Sequence, residues 1–250
     1  MSDVAENTRR IRSAVRVFMS PGLWLVMAVQ MLFLVVLNTG NEAVASTEGG
    51  GSLRPLILMA LFMLILFLLS GAFRALAAHQ NPVTVPEIFS SANKIFSQFL
   101  LLCLKTLGLF LLGSFVVVSF AMPAGGGEPD KETLHQMLMT IGIAAVVLDF
   151  VFIYWLPLVF TTLNFRLFQT LMLALRIARG RLSQAGFIAL LIFVPALISL
   201  YIPQGASLLV IAPVGLLGQV TGWIVYAYCI EYLSQNRDKI TVMPDSNHPL

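Results

Sequence analysis

The chain alternates between long apolar runs and short polar segments. A helix needs about 20 apolar residues to cross a hydrocarbon core about 30 Å thick, and most of the runs reach or approach that length. In chain order, the predicted spans are Gly22–Leu37, Leu56–Ala75, Phe99–Met122, Leu134–Phe160, Phe187–Ile202 and Leu208–Tyr232. The pattern therefore predicts an all-α polytopic membrane protein with six transmembrane helices arranged as three hairpins.

A basic segment with helical amphipathic periodicity precedes each predicted hairpin. These segments are Met1–Ser20, Glu87–Gln98 and Leu163–Leu182, and we expect them to lie on an anionic membrane surface. The residues expected to contact anionic lipid are Arg9, Arg10, Arg12, Arg16, Lys94, Arg166, Arg176, Arg179 and Arg181. A short solvated arm is the alternative interpretation of Met1–Ser20.

An internal repeat accompanies this arrangement. Ala14, Ala92 and Ala174 each begin an Ala-x-basic-β-branched motif on a predicted surface helix, at separations of 78 and 82 residues. The repeat predicts one membrane domain, residues 1–233, followed by a polar tail at 234–250. The three units cover about residues 1–80, 81–160 and 161–233.

Lys and Arg are concentrated on one side of the predicted spans. Only Arg54 and Lys131 fall on the opposite side, and Lys105, within a span, is nearer to the basic side. This distribution predicts that both termini lie in the cytoplasm. Cleavage of a signal peptide after Ala45 is an alternative that would leave five spans. The composition, 58% hydrophobic and 11% charged with a mean hydropathy of +0.88, excludes an ordinary soluble domain. Because the basic residues lie beside spans, the net charge of +3 does not predict nucleic-acid binding.

Two charges fall inside predicted spans. Lys105 and Asp149 lie 22 residues on either side of Gly127, so an antiparallel hairpin places them at similar depth. An unpaired charge at the bilayer centre costs about 2.5–3.5 kcal/mol, so we expect either an intramembrane pair between the two or an aqueous cavity beside them. The pair could be structural or could serve a small transporter, and Lys105 could instead extend to the interface.

Prolines and glycines inside the spans allow two interpretations. Pro157, Pro195 and Pro213 can interrupt helices at membrane depth, as they do in many transporters. More commonly, prolines inside a span produce kinks and glycines allow close packing of helices. Gly218-x-x-x-Gly222 is typical of a close helix contact. We therefore predict helix packing at Gly218 and Gly222.

The sequence contains no recognisable catalytic or metal-binding motif. His79, His135 and His248 are scattered, and no phosphate-binding loop or nucleophile elbow is present. Cys103 and Cys229 lie in apolar runs, where packing is the expected role. We expect no enzyme activity, no metal and no cofactor.

One family resemblance follows from this architecture. Basic amphipathic helices that precede hairpins, with an aromatic residue after a Pro-Gly entry at Pro21-Gly22-Leu23-Trp24, resemble the YciC-like bacterial inner-membrane proteins. They are also similar to the membrane domain that precedes some glycerophosphodiester phosphodiesterases. The resemblance implies a bacterial inner-membrane location and transfers no catalytic residue.

These observations predict a non-enzymatic accessory or scaffold subunit of a membrane complex. The expected partners are a bilayer with anionic lipid and a second membrane protein or another copy of this chain. The alternative is a small secondary transporter or permease that uses Lys105 and Asp149.

Overall fold

The computed structural model describes residues 2–43, 54–78, 82–121, 153–184, 186–188, 194–195, 198 and 208–236. In these ranges every regular element is helical, so the predicted all-α class is confirmed there. The helices are α1 (Ser2–Phe18), α2 (Pro21–Ala43), α3 (Arg54–Ala78), α4 (Val85–Ala121), α5 (Trp155–Thr162), α6 (Leu167–Arg179) and α7 (Leu208–Gln235).

Three to five of these helices are long and apolar enough to cross a membrane. Three segments qualify alone, and they are Pro55–Ala78, Val85–Gly113 and Val210–Gln235. Two bent pairs, α1 with α2 at 67° and α5 with α6 at 120°, qualify only when each pair is taken as one span. The six-span count and the three-unit repeat stay predictions, because most of Leu134–Phe160 and Phe187–Ile202 lies outside the described residues.

Helix α4 differs from the sequence prediction. A separate surface helix was expected at Glu87–Gln98, but α4 continues without a break for 37 residues, about 55 Å. The helix starts at a capping box, where the Glu87 carboxylate accepts a 2.8 Å hydrogen bond from the backbone N–H of Thr84. Pro86 lies in the first turn, where proline is tolerated, and no glycine or proline follows before Gly108. The change from amphipathic to apolar sequence therefore occurs within one helix.

The buried core is concentrated where α3 and α7 end and where α2 and α4 begin. Two clusters of buried apolar side chains meet there, one around α5 and the other around α2. Phe73 on α3 contacts both clusters, since its ring centroid lies 5.3 Å from that of Phe160 and 4.6 Å from that of Tyr226. Among the described residues, the long helices thus pack together mainly at this end.

Two glycines allow the close packing at this end. A Cβ atom on Gly71 would lie only 2.1 Å from the carbonyl oxygen of Ile88, and one on Gly22 would lie 2.9 Å from that of Thr84. The backbones of α2 and α3 therefore approach the start of α4 more closely than any side chain would allow. At the predicted contact, a Cβ atom on Gly218 would lie 3.5 Å from the Cβ of Pro195, an ordinary van der Waals distance, and one on Gly222 would meet no atom within 4 Å. The tight contacts of the described glycines are therefore those of Gly22 and Gly71.

Ser20 fixes the corner between α1 and α2. Its hydroxyl donates to the carbonyl of Arg16 at 2.6 Å and accepts from the backbone N–H of Val83 at 2.9 Å. The backbone N–H of Gly22 donates to the carbonyl of Val83 at 3.0 Å. This corner positions α1, which carries most of the polar contacts described next.

Candidate functional site

Helix α1 is bound to α7 through Glu231. The buried Ser13 hydroxyl donates a 3.1 Å hydrogen bond to Glu231 Oε2, and Arg12 Nη1 lies 3.5 Å from Glu231 Oε1. One turn further along α7, the Gln235 side-chain oxygen accepts a 2.5 Å hydrogen bond from Arg9 Nη2. Glu231 therefore binds the polar face of α1, a role that the sequence reading did not assign to it.

Two arginines bind carbonyl groups near the C-terminal ends of helices. Arg16 Nη2 donates to the carbonyl of Leu76 at 2.9 Å, in the last turn of α3. Arg74 Nη1 donates to the carbonyl of Phe160 at 3.2 Å, in the last turn of α5. The last turn of a helix has unpaired carbonyls and a partial negative charge, so a cation there stabilises the fold. Arg16 and Arg74 therefore stabilise the fold, in addition to any role in determining the membrane topology.

Aromatic rings of α7 contact further cations. The guanidinium of Arg181 lies 4.0 Å from the centroid of the Tyr232 ring, and that of Arg9 lies 5.8 Å from it. The hydroxyl of Tyr228 donates to the Glu6 carboxylate, which also lies within 3.9 Å of Arg9. Cation–π contacts of this kind contribute about 0.5–1 kcal/mol at exposed sites. The beginning of the chain is thus bound to α7 through several side chains.

The predicted lipid-contacting cations fall into two groups. Arg9, Arg16 and Arg181 are partly buried and bind other parts of the protein. The exposed residues of the set are Arg10, Arg12, Lys94, Arg166, Arg176 and Arg179. Lipid contact by the second group stays a prediction.

Lys105 is exposed on α4, among exposed apolar side chains such as Leu101, Leu104 and Leu109. Asp149, its predicted partner, lies outside the described residues. The structure therefore shows that Lys105 faces away from the described bundle, and the pairing stays a prediction.

Two clefts lined by described residues lie between the helices. The larger, about 330 Å³, lies between the ends of α3, α5 and α7 and includes Arg74, Thr161, Thr162 and Ser234 in its lining. All three hydroxyls donate to carbonyls of their own helices, and neither a carboxylate nor a histidine lines the cleft. The smaller, about 110 Å³, is mainly apolar and has Arg10 and Gln184 among its lining residues. The linings of both clefts therefore lack an arrangement of nucleophile and base.

The described residues include no group of three or more His, Cys, Asp or Glu side chains that could hold a metal ion. Cys229 is buried in the apolar core and Cys103 packs against the same cluster, both as free thiols. Comparison with known proteins gives no match to a protein family, to a curated sequence or to a solved structure. The resemblance to the YciC-like proteins therefore rests on the sequence features alone.

Proposed function

We propose that this chain is a non-enzymatic integral membrane protein that acts as an accessory or scaffold subunit of a membrane complex. The proposed location is a bacterial inner membrane, with both termini in the cytoplasm. The observation that carries the proposal is the difference between the two halves of α4.

The first half of α4 packs against the protein. Its buried side chains recur at helical spacing on one face, namely Ile88, Ala92, Ile95, Phe99 and Leu102. From Leu104 to Phe115 the described apolar side chains are exposed in every direction around the helix. Exposed fractions there include 52% for Leu107, 59% for Leu111 and 72% for Phe115. A helix that is apolar on all sides is stable only in lipid or against other apolar helices.

One stripe of this outer half combines a charge with a glycine. Leu101, Lys105, Gly108 and Leu112 follow at helical spacing and are all exposed. Lys105 lies 20 residues beyond the start of α4, about 30 Å along the helix axis. A Cβ atom on Gly108 would meet no other atom within 4 Å, so another helix could approach the backbone closely there. A carboxylate on that helix would offset the cost of a charge in lipid.

These features support lateral binding of a membrane helix. The helix could belong to another protein, to a second copy, or to the segment of this chain that contains Asp149. The first two possibilities correspond to a subunit of a complex, and the third to the predicted hairpin.

Purification in mild detergent followed by mass spectrometry tests the proposal. We expect the chain to elute with a second membrane protein in fixed stoichiometry or as a homo-oligomer. A monodisperse single copy with no associated protein would contradict it. A single copy that also carries a solute across vesicle membranes, with flux lost in Lys105→Ala, would instead support the transporter alternative.

A further inference from the structure

We infer that α1 inserts its apolar stripe into the interfacial region of the bilayer while its polar face remains bound to α7. The stripe consists of Ile11, Val15 and Phe18. The proposed partner is a lipid surface, and the inference does not depend on the lateral partner proposed for α4.

Helix α1 exposes its apolar face and buries the opposite face, the reverse of an amphipathic helix on a soluble protein. Ile11, Val15 and Phe18 are 65%, 49% and 52% exposed, whereas Ser13 and Val17 on the opposite face are each 1% exposed. An amphipathic helix on a soluble protein normally buries its apolar stripe against the core. In α1 the side that carries Ser13 contacts the protein, and the apolar stripe faces outward.

The angle of α1 suits a position along the membrane surface. The axis of α1 is bent by 67° from that of α2. When α2 stands along the bilayer normal, α1 lies about 23° from the membrane plane, the complement of 67°. The apolar stripe then runs nearly parallel to the surface, which is the arrangement of interfacial helices.

The position of Trp24 is also consistent with an interfacial location of α1. Its indole N–H donates a 3.0 Å hydrogen bond to the carbonyl of Phe18, and its ring centroid lies 6.3 Å from that of Phe18. The side chain is 37% exposed at the corner between α1 and α2. Tryptophan is enriched where the hydrocarbon core meets the headgroups, because its ring is apolar and its N–H is polar.

Two arginines flank the stripe. At 100° per residue, Arg10 and Arg12 each lie about 100° from its centre, on opposite sides. Their side chains are 45% and 69% exposed, so the guanidinium groups can reach lipid phosphates while the stripe enters the acyl region. Both also lie near a carboxylate, Arg12 at 3.5 Å from Glu231 and Arg10 at 3.8 Å from Glu6. Arg9 and Arg16 are less exposed and bind α7 and α3. Insertion of apolar surface, more than the total charge of the helix, therefore binds α1 to the bilayer.

Nitroxide labelling of the full-length chain in phosphatidylcholine vesicles tests the inference. In a Cys103→Ala, Cys229→Ala background, a label at Val15→Cys is compared with Leu107→Cys as lipid control and Asn93→Cys as water control. Leu107 is 52% exposed and lies on the side of α4 away from the Lys105 stripe. We expect Val15 to match Leu107, with high accessibility to oxygen and low accessibility to a water-soluble nickel chelate. Nickel accessibility like that at Asn93 would overturn the inference. Low accessibility to both reagents would also overturn it, because a protein would then cover the stripe.

A second measurement leaves the cysteines and the stripe unchanged. Trp155 and Trp223 are only 3% and 5% exposed, so Trp24 is the tryptophan most open to lipid. Brominated phosphatidylcholine should quench the fluorescence of the wild-type chain, and the quenchable fraction should fall at least twofold in Trp24→Phe. Equal quenching in both proteins would contradict the inference.

Lipid charge distinguishes insertion from electrostatic adsorption. Adding phosphatidylglycerol to the vesicles should change the accessibility of the Val15 label less than twofold. A label that leaves the water only when phosphatidylglycerol is present would show that charge drives the contact, and would overturn the inference.

Discussion

The Ser13 hydroxyl donates a hydrogen bond to the Glu231 carboxylate across 218 residues of sequence. This contact joins the first and the last of the described helices, α1 and α7. Ser13 is almost fully buried, and the Arg12 guanidinium lies on the other oxygen of the same carboxylate. Glu231 therefore provides two of the several polar contacts that hold α1 against the bundle.

The first prediction concerns this contact. Glu231→Ala removes a charged acceptor from a buried hydroxyl, and we expect a loss of about 1.5–3 kcal/mol in the free energy of unfolding. Arg12→Ala is the matched control, because an ion pair with an exposed partner contributes only about 0.2–1 kcal/mol. Thermal unfolding in detergent measures both losses. Equal losses for the two variants would mean that the Ser13 hydrogen bond contributes nothing.

The second prediction concerns the close approach of α3 and α4. Gly71→Ala would place a methyl group 2.1 Å from the Ile88 carbonyl oxygen, so the two backbones must separate. We expect a loss of about 3 kcal/mol in the free energy of unfolding.

Gly222→Ala is the control for this variant, because that position has open space on a helix. It should be neutral or stabilise the protein by about 0.4–1 kcal/mol. Thermal unfolding of both variants is the measurement. A destabilisation of Gly222→Ala as large as that of Gly71→Ala would show that a helix packs closely at the Gly218 and Gly222 contact.

The third prediction concerns Lys105 and Asp149. Removing one member of a pair in a dry environment strands the other charge and costs about 3–5 kcal/mol. We expect the double variant Lys105→Ala, Asp149→Ala to lose less stability than the sum of the two single variants. Lys94→Ala, an exposed position in the amphipathic half of α4, should have little effect. Strictly additive losses would show that the two charges do not interact.

The fourth prediction concerns topology. Reporter fusions after Gly50, Gly126 and Gln204 should indicate the periplasm, and fusions after His79, Gly180 and Leu250 the cytoplasm. The reason is the concentration of Lys and Arg on one side of the predicted spans. A periplasmic signal at Gly180 would be incompatible with six spans, because Arg176, Arg179 and Arg181 would lie on the wrong side.

The ends of several helices could be predicted from sequence because apolar length is a local property. The predicted start at Gly22 lies one residue from the observed start of α2, and the predicted end at Tyr232 lies three residues from that of α7. The continuity of α4 was missed because a change in polarity at Gln98 was interpreted as a break. The run without glycine or proline up to Gly108 was the signal that could have predicted it.

The contacts between distant residues could not be predicted in this way. Glu231 is the one acidic residue in the sequence of α7, which marks it as unusual but does not identify Ser13 as its partner. Gly71 follows a serine inside an apolar run, and only the packed structure shows that the Ile88 carbonyl requires it. The outward direction of the α1 stripe likewise depends on the position of α7.

Site-specific photo-crosslinking on α4 tests the central claim most directly. A photo-reactive amino acid at Leu112, on the stripe with Lys105 and Gly108, is compared in intact cells with one at Asn93, exposed in the amphipathic half of the helix. The account predicts that Leu112 forms a crosslink of defined mass to another membrane protein or to a second copy, and that Asn93 does not. Crosslinks from Leu112 only to lipid, or only to the segment of the same chain that contains Asp149, would contradict the proposal that the outer half of α4 binds a protein partner.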